Sequence, residues 1–131
     1  MSELSVKALE LALAALEQGL QENQQYPYLL TIRDGVIQRF EITMDVSRQI
    51  LIRVLKEVFG LEEAPAKKDT FREAAKVGII ADTEAWIGHL AARNRTSHTY
   101  DSVIAEQVFA HIPSFVPDAQ DLLRRLKPHV A

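Results

Sequence analysis

The chain has 131 residues, of which 47% are hydrophobic and 25% charged, and its formal net charge is −3. This length is typical of one domain that buries about two thirds of its unfolded surface, so we expect a single domain over residues 1–131. The acidic balance excludes a general attraction to nucleic acid, which would require a local basic patch. The absence of cysteine excludes disulfides, thiolate zinc sites and cysteine nucleophiles.

The N-terminal sequence MSELSVKALELALAALEQG carries charged residues before and within its apolar part, unlike a signal peptide. The longest uninterrupted apolar run of the chain, residues 11–16, is far shorter than the roughly 20 residues that span a bilayer. We therefore expect a cytoplasmic protein with no membrane partner.

Hydrophobic residues recur at helical spacing from the N-terminus onwards. A first helix is expected over residues 4–20, where leucines recur at intervals of four and three, at Leu9, Leu13, Leu16 and Leu20. Residues 24–30 break this period and predict a connection, whose aromatic residues Tyr26 and Tyr28 are expected to pack against the core. A long second helix is expected over residues 32–59, and Gly60 should end it.

Capping signals predict where the next two helices begin. Thr70 and Glu73 have the spacing of a capping box, which predicts the start of a third helix. This helix should end near Val77, with Gly78 as its C-terminal cap. Asp82 is placed to cap a fourth helix, because its side chain can accept from the first unpaired amides. After Asn94 the chain has threonine, serine and histidine residues that form helices poorly, so this helix should end there.

A fifth helix is expected to begin at Asp101 or Ser102. Pro113 and Pro117 should kink or break it, because proline lacks the amide hydrogen that a helix interior uses. No segment of the sequence alternates apolar and polar residues with a period of two. The sequence therefore predicts an all-α fold, an antiparallel bundle of about five helices.

The stretch RNRTSHTY, residues 93–100, concentrates polar side chains at the end of the predicted fourth helix. If the chain stays roughly helical, Leu90, Asn94 and His98 lie one above another and continue the line of Trp86 towards a partner surface. A simpler explanation is that cations near the C-terminus of a helix interact favourably with the helix dipole. The residues alone leave both explanations open.

Other parts of the sequence offer weaker candidates. The four histidines show no close metal-ligand spacing, namely His89, His98, His111 and His129. The glycines are isolated and form no phosphate-binding loop, so neither a metal nor another cofactor is expected. Three aspartates are expected to cap helices or face solvent, namely Asp101, Asp118 and Asp121.

The pattern Arg93-Asn94-x3-His98-x-Tyr100, in an all-helical chain, resembles the signature of the HEPN superfamily. The segment RDGVIQRFEITMD, residues 33–45, resembles the second helix of its subgroup of nucleotidyltransferase substrate-binding proteins, so the similarity covers most of the chain. The resemblance implies a homodimer in which the motifs of two protomers face each other across a cleft. It also implies a small nucleotidyltransferase as the partner.

Two activities are attributed to proteins of this kind. In the first, the dimer is a metal-independent ribonuclease and the toxin of a toxin–antitoxin pair, with Arg93, Asn94 and His98 as catalytic residues. The nucleotidyltransferase is then the antitoxin, and it adenylylates Tyr100. In the second, the helical protein is a non-catalytic subunit that holds a nucleotide or another substrate for the nucleotidyltransferase. A helical dimer that only recognises its partner is a third possibility.

The side chains of the motif suit the cleavage of RNA by its own 2′-hydroxyl. His98 can act as a base or an acid near neutral pH, and Arg93 can hold phosphate oxygens through two parallel hydrogen bonds. Asn94 could orient His98 or the phosphate, or it could merely cap the helix. One protomer supplies one such histidine, so two proton transfers require either the dimer or the participation of Arg93. Tyr100 is either the modified residue or a partly buried ring at the edge of the bundle.

Overall fold

In a computed structural model, which describes residues 4–130, this part of the chain forms five α-helices and no strand. The helices are α1 (Lys7–Gln25), α2 (Leu30–Glu57), α3 (Lys67–Lys76), α4 (Thr83–Arg95) and α5 (Ser102–Leu126). The predicted all-α bundle of about five helices is therefore confirmed. None of the helices formed by residues 4–130 is long and apolar enough to cross a membrane. Residues 1–3 and 131 of the predicted domain lie outside the described part.

Local sequence signals determine several helix ends as expected. Asp82 accepts a hydrogen bond from the amide of Ala85 at 3.1 Å, and Asp101 accepts one from the amide of Val103 at 2.9 Å. Each aspartate therefore satisfies an amide that the helix itself leaves unpaired. Gly60 and Gly78 follow α2 and α3 with φ angles of 75° and 81°, a conformation that only glycine adopts at little cost.

The predicted capping box at the start of α3 is wrong. The helix begins four residues after Glu63, at Lys67, and Ala66 precedes it without any side-chain cap. Thr70 consequently lies inside the helix, where its hydroxyl donates to the carbonyl oxygen of Ala66 at 3.2 Å. Glu73 pairs with Lys76 instead of reaching back to the helix start. The spacing of a capping box is present, but the helix starts one turn earlier.

The expectation that two prolines break the fifth helix is also wrong. The helix α5 runs without interruption through Pro113 and Pro117, both of which are exposed. The opposite face carries an apolar stripe that is fully buried, with Val108, Ile112, Phe115, Ala119 and Leu122. Because the prolines are four residues apart, the carbonyl groups that they leave unpaired lie on one solvent-facing side, where water can satisfy them.

Contacts between helices define their relative directions. Gly19 of α1 lies against α2, where an added Cβ would come within 3.2 Å of Val36, so the two antiparallel helices approach closely there. Arg33 of α2 donates to Glu106 of α5 at 2.7 Å, and further along both helices the ring of Phe40 packs on that of Phe115. The helices α2 and α5 therefore run in the same direction, and both begin at the end of the bundle where α4 finishes.

The connection between α1 and α2 contradicts the expectation that its aromatics pack against the core. Tyr26 is 46% exposed and Tyr28 is 75% exposed. The neighbouring side chains of Leu29 and Leu30 are exposed as well. This corner of the bundle therefore presents apolar and aromatic surface to solvent.

Candidate functional site

The motif of residues 93–100 lies where α4 ends, and hydroxyl side chains explain why the helix ends there. A 3₁₀ turn, Thr96–His98, follows α4 directly. The Thr96 hydroxyl lies 2.7 Å from the carbonyl oxygen of Arg93, and the Thr99 hydroxyl donates to the carbonyl oxygen of Thr96 at 3.1 Å. Such bonds compete with those of the helix. The predicted end of the helix after Asn94 is confirmed to within one residue.

Arg93 is fixed against α2 by a two-pronged ion pair. Its Nε donates to Oδ1 of Asp45 at 2.7 Å, and its Nη2 donates to Oδ2 of the same carboxylate at 2.9 Å. Its Nη1 lies 3.7 Å from the Glu41 carboxylate, which also contacts the Thr96 hydroxyl. The hydrogen bond to Asp45 raises the pKa of Arg93 above its ordinary value, although burial opposes this. The guanidinium is therefore charged and held in one orientation.

The other motif side chains face solvent. Asn94 and His98 are exposed, and Tyr100 is 86% exposed. The Tyr100 hydroxyl lies 3.5 Å from Nδ1 of His98, at the outer limit of a hydrogen bond, and the two rings meet edge to face with centroids 6.0 Å apart. The histidine and the tyrosine are thus neighbours on an open surface.

Two of the interpretations considered for the motif are wrong. Trp86 and Leu90 are buried in the core of their own bundle, so their line does not lead to a partner surface as expected. Tyr100 is not a partly buried ring at the bundle edge. For Asn94, the backbone carbonyl accepts from the Ser97 hydroxyl at 3.3 Å, whereas within residues 4–130 its side chain has no hydrogen bond that would cap the helix.

This arrangement provides one fixed cation and one accessible imidazole. The Arg93 side chain is 26% accessible. Of its five N–H donors, Asp45 accepts two and the Thr96 hydroxyl accepts one, so donors remain for an anion. His98 is exposed and forms no ion pair in the described part of the chain, so a ligand can reach its ring. These two groups can bind a phosphate and move a proton.

Sequence reasoning missed the two acidic residues that hold Arg93. Asp45 and Glu41 are separated from their partners on and just after α4 by 48 and 55 residues. They do occur in the segment 33–45 that carries the family resemblance, four residues apart on one face of α2. Opposite charges in the two resembling segments were the signal that could have paired them.

A second polar cluster lies deeper in α4 and was missed as well. His89, which is only 2% exposed, lies between His111 and Asp118 of α5. Its Nδ1 is 2.7 Å from Nε2 of His111, and its Nε2 is 2.6 Å from Oδ2 of Asp118. Because a carboxylate only accepts, Nε2 of His89 carries the hydrogen and Nδ1 accepts one from His111.

Burial lowers the pKa of His89 below the ordinary histidine value, and Asp118 only partly offsets this. Burial and the neighbouring His89 also lower the pKa of His111. Both rings are therefore neutral at neutral pH and act as links in a hydrogen-bond chain. Within the described residues, no group of three or more histidine, aspartate or glutamate side chains is arranged to hold a metal ion.

Comparison with known proteins relates the chain to one family. Residues 4–128 match the sequence profile of the family described as nucleotidyltransferase substrate binding protein like. A protein of Haemophilus influenzae named probable ribonuclease HepT is 35% identical over 100 residues, which make up 74% of this chain and 68% of that protein.

Solved structures show the same fold. One is a Haemophilus influenzae protein whose structure is said to reveal the fold of a substrate binding domain of a nucleotidyltransferase; it is 30% identical, with a TM-score of 0.84. That match covers 94% of this chain and 99% of the other. A crystal structure of a Thermus thermophilus protein is 31% identical, with a TM-score of 0.77, over 90% of this chain and 98% of the other.

Proposed function

The chain belongs to the nucleotidyltransferase substrate-binding family, and from that membership we propose that it is a HEPN-type, metal-independent ribonuclease with Arg93, Asn94 and His98 in its site. It acts in the cytoplasm as the toxin of a toxin–antitoxin pair, and a small nucleotidyltransferase is its antitoxin. The observation that carries this proposal is the exposed pair of His98 and Tyr100, directly after an arginine that two hydrogen bonds hold in place.

The reaction transfers a phosphoryl group of the RNA from the 5′ oxygen of one nucleotide to the 2′ oxygen of the preceding nucleotide. The 2′-hydroxyl loses its proton to a base and its oxygen bonds to phosphorus, while the bond to the 5′ oxygen breaks and that oxygen gains a proton. Arg93 stabilises the charge that develops on the phosphate oxygens, and Asp45 keeps the guanidinium oriented for that contact. His98 serves as the proton-transfer group, and the exposed amide of Asn94 hydrogen-bonds the phosphate or the imidazole.

The second proton transfer is the reason for proposing a homodimer. On one protomer the motif has a single histidine, and the next two histidines of α4 and α5, His89 and His111, are engaged with each other. Two copies of the motif facing each other supply His98 twice, so that one ring takes a proton and the other gives one. The dimer is therefore part of the proposed mechanism.

Tyr100 is the proposed point of control. The nucleotidyltransferase transfers an AMP group from ATP to the Tyr100 hydroxyl and releases pyrophosphate, as the exposure of this side chain permits. The added phosphate lies beside His98 and brings negative charge to the place where RNA phosphate has to bind. Both effects block cleavage.

The direct test is RNA cleavage in excess EDTA, with protein produced without its partner and shown by intact mass to be unmodified. His98→Ala should lower the cleavage rate by about 100-fold or more, which is the usual contribution of a proton-transfer group. Arg93→Ala should lower it as well. His129→Ala is the matched control, because His129 follows α5 at its far end and its ring meets that of Phe59 edge to face. The rate of this variant should equal that of the wild type.

Equal rates for wild type and His98→Ala, or no cleavage by either while both remain folded dimers, would overturn the nuclease proposal. Arg93→Ala has to be accompanied by a melting temperature, since its ion pairs with α2 are lost at the same time. The His98 variant has no such complication, because its only side-chain neighbour among the described contacts is Tyr100.

The proposed control predicts a separate result. After incubation with the nucleotidyltransferase and ATP, wild-type protein should gain AMP on Tyr100 and lose cleavage, whereas Tyr100→Phe should cleave as before. Tyr28→Phe is the matched control, because Tyr28 is comparably exposed at 75% and should leave the inactivation intact. Tandem mass spectrometry that located AMP on another residue would contradict this assignment.

A second function is favoured by one specific observation. Arg93 already gives two of its hydrogen-bond donors to Asp45, as a structural arginine does. In this alternative the protein is a non-catalytic subunit that holds a nucleotide or another substrate for the nucleotidyltransferase. It then shows no toxicity when expressed alone, and nucleotide binding is found only in the complex.

A further inference from the structure

A cavity of about 230 Å³ opens between α2, α3 and α4, directly beside the motif arginine. It is lined by Asp45, Arg48, Gln49, Lys67, Leu90 and Arg93. Three of these side chains are cationic and one is a carboxylate. In a chain with a net charge of −3, such a concentration of positive charge is local.

The one carboxylate in this cavity, that of Asp45, is already paired with Arg93. Both oxygens of Asp45 accept hydrogen bonds from Arg93. Arg48 has no carboxylate partner within the described residues and donates through Nη2 only to the carbonyl oxygen of Pro65, at 3.3 Å. Within residues 4–130, Lys67 forms no ion pair. Two positive charges of the cavity are therefore not balanced by this part of the protein.

Arg48 also has a buried donor without an acceptor. Its Nε is buried and has no hydrogen-bond partner in the described part of the chain. A buried polar group without a partner costs free energy, and in native proteins such a group calls for a specific explanation. The Arg48 side chain lines the cavity, so a small change of its rotamer would let an acceptor in the cavity satisfy this donor.

Lys67 occupies a position where a cation is unfavourable. It is the first residue of α3, and the N-terminus of a helix carries a partial positive charge with unpaired amides. Lys68 follows it, and Ala66 provides no side-chain cap for the amides. The acidic residue of the first turn, Asp69, pairs with Arg72. Sequences that break a local rule of this kind tend to do so at functional sites. An anion at this position would neutralise the lysine and the helix terminus together.

We propose that this cavity is a binding site for a phosphate group of a ribonucleotide, which Arg48 and Lys67 hold beside Arg93. The identity of the ligand rests on the proposed function. From Glu41, which contacts Thr96, to Arg48, α2 rises by about 10 Å. An RNA strand that is cut at His98 thus continues along α2, and a phosphate next to the cleaved one enters the cavity. A free nucleotide offers the same phosphate chemistry.

The test measures binding of two probes to the full-length protein. The first is a short 2′-O-methyl RNA, whose blocked 2′ oxygen prevents cleavage, and the second is ATP. Arg48→Met keeps the aliphatic stem and removes the donors, and Lys67→Ala removes the amine. Each should weaken binding about fivefold to tenfold, as expected for one charged contact. For RNA, each should also reduce the salt dependence of log K by about 0.7.

Lys76→Ala is the matched control, because Lys76 lies at the other end of α3 and pairs with Glu73. It should change either dissociation constant by less than about twofold. Weaker RNA binding in the two cavity variants identifies an RNA phosphate, and weaker ATP binding alone identifies a free nucleotide. The proposal is overturned if both variants bind both probes as tightly as the wild type, or if the wild type binds neither.

Melting temperatures separate ligand binding from a structural role of Arg48. Arg48→Met removes the unsatisfied Nε together with one long hydrogen bond, to the carbonyl oxygen of Pro65, so it should unfold at about the same temperature as the wild type. A clear decrease would assign Arg48 to the fold. Cleavage assays on the same proteins keep the two proposals apart. If both variants cleave and bind normally, the proposed phosphate site is rejected and the nuclease proposal stands. If both variants bind more weakly but no form of the protein cleaves RNA, the nuclease proposal is rejected and the phosphate site stands.

Discussion

Two histidines, one inside α4 and one in the turn that follows it, show how differently one residue type can be used. His89 lies in the middle of α4, is buried, and has a hydrogen-bond partner on each ring nitrogen. His98 lies in the turn after α4, is exposed, and contacts only Tyr100 among the described side chains. The buried ring links α4 to α5, while the exposed ring is available to a ligand. The close contacts of the buried histidine cluster therefore do not make it a better candidate for a ligand site than the single exposed histidine.

The largest difference between these histidines should be in the free energy of unfolding. His89→Ala removes a buried ring, leaves Asp118 and His111 without their partner, and should destabilise the fold by about 2 to 4 kcal/mol. His98→Ala should change stability by no more than about 0.5 kcal/mol, as expected for an exposed side chain. Urea unfolding of both variants measures this. Equal stability of the two variants would refute the division of roles.

How much of the molecule the sequence predicts depends on how local the controlling interaction is. The aspartate caps and the glycine helix ends each involve residues within a few positions, and these predictions are confirmed. The false capping box at Thr70 has the right spacing, but the helix begins one turn earlier. The loss of an amide hydrogen at each of the two prolines predicts a break in the fifth helix. The burial of its apolar stripe in the core keeps α5 intact.

The candidate site divides along the same line. The positions of Arg93, Asn94, His98 and Tyr100 at the end of α4 could be predicted, because they depend on one helix and the turn that follows it. Two pairings between helices were not predicted. Asp45 is 48 residues from Arg93 in sequence, where opposite charge was the only signal, and His89 is 22 residues from His111. Such pairs form only when helices pack, and the spacing of residues in one helix does not reveal them. The roles of the motif residues stay predictions until cleavage is measured.

The smaller effect that separates the two histidines is the pH dependence of stability. The folded state lowers the pKa of His89 and His111, mainly through burial, while in the unfolded chain both return to about the ordinary value of 6.5. As the pH falls below about 6.5, the unfolded chain therefore binds protons that the folded protein does not. Stability is fully present above this pH and decreases progressively below it, and Asp118 and Asp82 moderate the loss because they favour the charged ring of His89.

Thermal melts between about pH 7.5 and pH 5 should show this decrease in the wild type and in His98→Ala to the same extent. The double variant His89→Gln, His111→Gln should lose much of it, because neither glutamine titrates. If His98→Ala flattened the profile and the double variant did not, the coupling between protonation and folding would belong to the exposed ring. The comparison would then be reversed, since the exposed histidine would be the one on which the fold depends.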